Sequence, residues 1–130
     1  MASTSQDLIY LASPYSHKDK SVQEGRFDSV CEATARLMCS GQHVFSPIAH
    51  GHSVARFGLP GEFDYWKAYC VNTLLRCDAL IVLMLSGWSE SVGVQYEIDL
   101  AKEHNIPVRF INLAENIEWE YVDPTKHKQH

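Results

Sequence analysis

Long apolar runs are missing from this chain. A membrane-spanning helix needs roughly 20 consecutive apolar residues, and the longest run here is Ala79 to Leu85. The first residues, MASTSQD, lack a basic segment followed by an apolar one, so neither a secretory signal nor an anchor is expected. Cationic charge is also scarce: 11 Lys and Arg stand against 16 Asp and Glu, a formal net charge of -5. Binding a polyanion relies on a cationic face, so a nucleic acid polymer is not the expected partner, and any bound phosphate should be small and locally held. Cys31, Cys39, Cys70 and Cys77 form no CxxC pair and sit in segments that read as helical. That suggests neither a zinc ribbon nor a disulfide framework and fits reduced thiols in a cytoplasm. The sequence has no GxGxxG, no GxxxxGK[ST] and no HExxH, and His50-Gly51-His52 lacks a third ligand at a recognised spacing. No metal and no organic cofactor are expected.

What is present suits a globular fold. With 45% hydrophobic and 21% charged residues, the 130-residue chain can bury a core, and its length gives no reason to divide it. One domain over 1–130 is expected, with a core of about 8–112 and a tail from 113 to 130 whose Trp119 and Tyr121 suggest a docking or dimer contact. The short apolar run Leu8 to Ala12, ended by Ser13-Pro14, suits a strand buried on both faces. Phe27, Val30, Cys31, Thr34, Leu37 and Met38 recur at helical spacing between about Ser21 and Ser40, and Gly41 supplies a stop. Gln42 to Phe45 reads as a second strand. The polar, Gly-containing stretch Ile48 to Gly61 is a long excursion, of the sort that is functional or carries a short helix. A second helix is expected from Glu62 or Asp64 to Cys77, with Trp66, Tyr69, Cys70, Thr73, Leu74 and Cys77 as its apolar stripe. A strand over Ala79 to Leu85, a helix from Ser91 to about His104 and a strand over Val108 to Ile111 complete the pattern. This alternation predicts an α/β domain, Rossmann-like or flavodoxin-like, with a parallel sheet of four or five strands and helices on both faces.

In such sheets ligands bind beyond the carboxyl ends of the strands. The segments there are SPYSHKD, SPIAHGH and SGWSESVGVQYE. On the third helix Val94, Ile98 and Ala101 mark the face toward the sheet, and Glu97 lies within roughly 60° of Val94. A carboxylate on that inner face is costly to bury. It is either an edge group making a structural bond or a catalytic one. Ser91 is placed to cap its helix, and with Gly93 behind it the same terminus suits an anion. Ser13 and Ser16 allow the same two readings, and Arg26 is either solvated or reaches an anion from the first helix.

These residues resemble a known family. Tyr10 in LIYLASPYSH, Arg26-Phe27, HVFSPIAHGH and above all GWSESVGVQYEIDLA are similar to the nucleoside 2-deoxyribosyltransferase-like superfamily. Within it they resemble the small bacterial and phage proteins of the DUF1937 or DUF4406 type, related to deoxynucleoside 5′-monophosphate N-glycosidases. The resemblance covers roughly Leu8 to Asn112. It implies a glutamate, here Glu97, that attacks the anomeric carbon, and a first-strand tyrosine, here Tyr10, that orients it. Serine at position 91, where transferases of free nucleosides carry an acid, implies a 5′-phosphorylated substrate. The family's phosphate loop corresponds to Ser13, Tyr15, Ser16 and His17, assisted by Arg26 and Gly93. The loop from Ile48 to Gly61, with His50 and Trp88, is expected to cover the base. The implied partner is a small nucleotide, and family members associate as homodimers or higher homo-oligomers. In one place the chain departs: the family's second-helix aspartate, which contacts or protonates the leaving base, falls on Cys70. Either Asp64 or His50 takes that role, or the protein binds a nucleotide without cleaving it.

Overall fold

The structure is a computed structural model, and it describes residues 7–113. The order is β1 (Leu8–Ala12), α1 (Lys20–Cys39), β2 (His43–Phe45), α2 (Pro47–Ala55), α3 (Phe63–Leu74), β3 (Ala79–Leu83), a short 3-10 turn (Trp88–Glu90), α4 (Val92–Glu103) and β4 (Val108–Ile111). The four strands form one parallel sheet in the order β2-β1-β3-β4. Parallel neighbours cannot be joined by tight hairpins, so each connection carries a helix across the sheet. The chain reverses its direction of winding about β1, which leaves a crevice beyond the carboxyl ends of β1 and β3, the place where open α/β sheets take ligands.

Alternation along the strands divides the core. Tyr10, Ala12, Leu80 and Val82 face Cys70 and Leu74 of α3 and Val94, Ile98 and Ala101 of α4. Ile9, Leu11, Ile81 and Leu83 face Val30, Ala33 and Leu37 of α1. All five residues of β3 are buried, and each fully buried Leu, Ile or Val contributes about 1.5–3 kcal/mol. This is the α/β sheet with helices on both faces expected from the sequence, with four strands among the described residues.

Helix ends follow local chemistry. Asp19 caps α1 by accepting from the Ser21 amide at 2.9 Å. The helix closes on Gly41 at φ 98, with the Gln42 and Gly41 amides donating to the Leu37 and Met38 carbonyls at 3.1 and 3.0 Å. That paired pattern needs a left-handed residue, which glycine supplies without strain. Asn105, at φ 57, closes α4 in the same way. Three expected boundaries shift. The excursion from Ile48 to Gly61 contains α2, started by Pro47 and capped by Ser46, which accepts from the Ala49 amide at 3.0 Å. α3 stops at Leu74 and passes through turns to Cys77, and β3 stops at Leu83. Tyr69, expected in the apolar stripe of α3, is exposed. No helix among the described residues is long and apolar enough to cross a membrane. Beyond Leu113, the tail expected to dock lies outside the described residues.

Candidate active site

β1 and α4 bring together a tyrosine and a glutamate separated by 87 residues: the Tyr10 hydroxyl donates to Glu97 Oε2 at 2.6 Å. Tyr10 points to the α4 side of the sheet because of its place in the strand alternation, and Glu97 follows Val94 on the inward face of its helix. The carboxyl is 6% exposed. Burial without a compensating cation disfavours the charged form, so Glu97 is pushed up to about 7, against the pull of hydrogen bonds from Tyr10 and Cys70. The Tyr10 phenol is raised far above its ordinary value, first by burial and then by the neighbouring Glu97 charge, and stays protonated as a donor. Cys70, inward on α3, meets both groups, and its thiol is pushed up to about 11, mainly by burial.

Glu97 forms part of the wall of a cavity of about 500 Å³. The loop after β1 contributes Ser13, Tyr15 and Ser16, and α1 contributes Arg26. From α2 come Ile48, Gly51, His52 and Ala55; from α3, Phe63, Trp66 and Cys70. Gly87, Glu90, Ser91 and Gly93 close it from the β3–α4 side. Ser91 caps α4, accepting from the Val94 amide at 3.3 Å. Arg26 ties two loops together, donating to the Ser16 carbonyl at 2.9 Å and the Ser86 carbonyl at 3.1 Å. It passes so close to Gly87, at φ 89, that a Cβ there would stand 2.9 Å from Nη2. Trp66 is fixed by donation from its indole N–H to the Pro60 carbonyl at 2.8 Å, and its ring lies against Gly51. The cavity thus joins an apolar, aromatic flank to hydroxyls, one guanidinium and the start of a helix, a combination suited to a planar ring attached to a small anion.

Of the residues singled out in the sequence, Ser13, Tyr15, Ser16, Arg26, Ser91, Gly93 and Glu97 line this cavity, with Tyr10 beneath Glu97. Four others do not line it. His17 is exposed and accepts from the Asp19 amide at 2.9 Å through Nδ1. His50 is exposed and stacks on Tyr69, Asp64 is exposed in the first turn of α3, and Trp88 packs against Phe110. Among the described residues no group of three His, Cys, Asp or Glu side chains is arranged to hold a metal.

His52, weighed in the sequence only as half of a His50–His52 metal pair, lines the cavity. Its Nδ1 lies 2.6 Å from the Tyr15 hydroxyl, its Nε2 lies 3.0 Å from Glu24, and Phe27 stacks on it at 4.0 Å. The signal was present: once Ser46-Pro47 is read as a helix start, Ile48, Gly51, His52 and Ala55 share one helical face.

A family model described as a domain of unknown function, DUF1937, matches residues 7–113. Among solved structures, the 2-deoxyribosyltransferase of the psychrotolerant bacterium Bacillus psychrosaccharolyticus is similar at a TM-score of 0.50 and 19% identity, over 91% of this chain and 78% of that one. At that identity the likeness concerns the fold. No curated protein matches the chain.

Proposed function

The chain belongs to the DUF1937 family and has the fold of a 2-deoxyribosyltransferase, and from this premise we propose that it hydrolyses the N-glycosidic bond of a (deoxy)nucleoside 5′-monophosphate. The observation that carries the reading is the buried Tyr10–Glu97 pair opening on the cavity. A carboxyl raised to about 7 and held by a phenol is a nucleophile available in the neutral range. In the proposed reaction Glu97 attacks the anomeric carbon, the bond to the base nitrogen breaks with its electron pair leaving on the base, and water then hydrolyses the glycosyl ester. Two steps of moderate difficulty replace one difficult displacement. The 5′-phosphate is assigned to Ser13, Ser16, Arg26 and the α4 terminus with Ser91 and Gly93. The base is assigned to the flank of Ile48, Phe63 and Trp66. We further propose a cytoplasmic protein that works as a homodimer or higher homo-oligomer and needs no cofactor.

One observation favours a second reading. Cys70 meets Glu97 and Tyr10, and a thiol raised to about 11 is a poor proton donor to a leaving base. A protein without that donor binds nucleotide and does not cleave it. Calorimetry with nucleoside 5′-monophosphates, paired with chromatography for free base, separates the two: binding with base release supports the glycosidase, and tight binding without release supports the binder.

A further inference from the structure

Tyr15, His52 and Glu24 come from the β1–α1 loop, α2 and α1 and meet as one hydrogen-bonded chain. Tyr15 is half-buried, the His52 side chain is 19% exposed and that of Glu24 60% exposed. Tyr15 and His52 line the cavity that holds Glu97. Among the described residues, Tyr15 and Glu24 are the titratable side chains that meet His52, and Phe27 covers its ring. Both imidazole nitrogens are therefore engaged, and Tyr15, whose hydroxyl also meets Gln23, stands with His52 in the cavity wall.

The protonation of His52 decides what that hydroxyl does. A neutral imidazole with its hydrogen on Nε2, toward Glu24, accepts the phenolic hydrogen at Nδ1. An imidazolium carries hydrogens on both nitrogens, so Nδ1 donates to the phenol oxygen and frees the phenolic hydrogen for the cavity. The Glu24 carboxylate, 3.0 Å from Nε2, accepts from that nitrogen and orients the ring with Nδ1 toward Tyr15. Histidine is the side chain best suited to exchange a proton near neutral pH.

We propose that Tyr15 gives the departing base its proton and draws a replacement from His52, which Glu24 positions. This assignment rests on the glycosidase reading above. As Glu97 bonds to the anomeric carbon, the electron pair of the broken bond stays on the base nitrogen. That nitrogen takes the phenolic proton of Tyr15, whose oxygen takes the Nδ1 proton of the imidazolium. When water attacks the glycosyl ester, its proton returns to His52 through Tyr15 and Glu97 leaves as carboxylate, so one water is consumed and the chain is restored. The other cavity-lining acids serve less well. Glu97 is the nucleophile, and Glu90 is exposed and accepts from Ser89. Burial raises the Tyr15 phenol as it raises the Cys70 thiol, and what sets Tyr15 apart is the imidazole bonded to its oxygen, a source for the proton it gives up.

The test compares two leaving groups. The four common deoxynucleoside 5′-monophosphates need a proton on the base, whereas 2-deoxyribose 5-phosphate carrying para-nitrophenolate at the anomeric carbon releases a stable anion that needs none. Tyr15→Phe and His52→Gln should lower the ratio of kcat/KM for nucleotide to kcat/KM for the para-nitrophenyl substrate by about 100-fold or more, the usual contribution of a general acid; kcat/KM reports the step that breaks the bond, before water returns a proton through Tyr15. A first-turnover burst of para-nitrophenolate shows at once that each variant is folded. A ratio unmoved in Tyr15→Phe overturns the proposal while leaving the glycosidase standing. Wild-type protein that releases nothing from either class of substrate overturns both. A ratio unmoved in His52→Gln while Tyr15→Phe lowers it removes His52 from the relay.

Discussion

Replacing Glu97 with Gln should stabilise the protein at alkaline pH and should do so by a calculable amount. The folded carboxyl titrates at about 7 instead of 4.5. Between those values the folded protein holds a proton that the unfolded chain has lost, so stability falls as pH rises through this window. The contribution is fully present below 4.5 and lost above about 7. The rise corresponds to about 3 kcal/mol. Gln keeps a carbonyl oxygen to accept from Tyr10 and never ionises. Urea unfolding of both proteins at about pH 4 and about pH 8 isolates the effect, because every other titrating group is common to the pair. The difference in unfolding free energy should move by about 3 kcal/mol in favour of Gln between the two conditions. A difference that is the same at both, or that favours Glu at alkaline pH, would refute the claim that a desolvated carboxyl is held here at a cost in stability.

Other perturbations have distinct signatures. Tyr10→Phe removes a hydrogen bond that lowers Glu97, and at about 1.5–3 kcal/mol for a bond to a charged group the rise of activity with pH should shift upward by about one to two units. Ser91→Asp should leave unfolding free energy nearly unchanged, since Asp caps a helix as well as Ser, while calorimetry should show weaker binding of 5′-monophosphates than of the matching nucleosides. Gly87→Ala forces a left-handed alanine against Arg26, and urea unfolding should show a loss of about 1–2 kcal/mol together with weaker phosphate binding. Cys70→Asp should change nucleotide turnover only modestly if Tyr15 supplies the proton; its creating cleavage in a protein that had none would favour the binder.

How much could be read from the sequence depended on how local each signal was. The run Leu8 to Ala12, the stop at Gly41 and the cap at Ser91 are short-range features, and the elements they imply stand where the sequence sets them. Glu97 was legible as an inward carboxyl because helical geometry ties it to Val94 and Ile98, and all three are buried. Its bond to Tyr10 spans 87 residues, and no local pattern specifies it. The hydrogen-bonded chain of Tyr15, His52 and Glu24 was hidden for the same reason: its members lie on three elements that only the packed fold unites. His50 drew attention beside His52, but a rotation of about 200° over two helical residues separates them. That rotation sets one against Tyr69 and the other toward the cavity. Trp88 read as a cover for the base, and its packing on Phe110 depends on β4, far along the chain.

Whether Glu97 cleaves a nucleotide is decided by incubating wild-type protein and Glu97→Gln with a panel of nucleoside 5′-monophosphates, followed by chromatography for free base. The wild type should release free base and sugar phosphate in equal amounts from at least one nucleotide, and Glu97→Gln should release none. No release from any member of the panel, or equal release by both proteins, would contradict cleavage by Glu97.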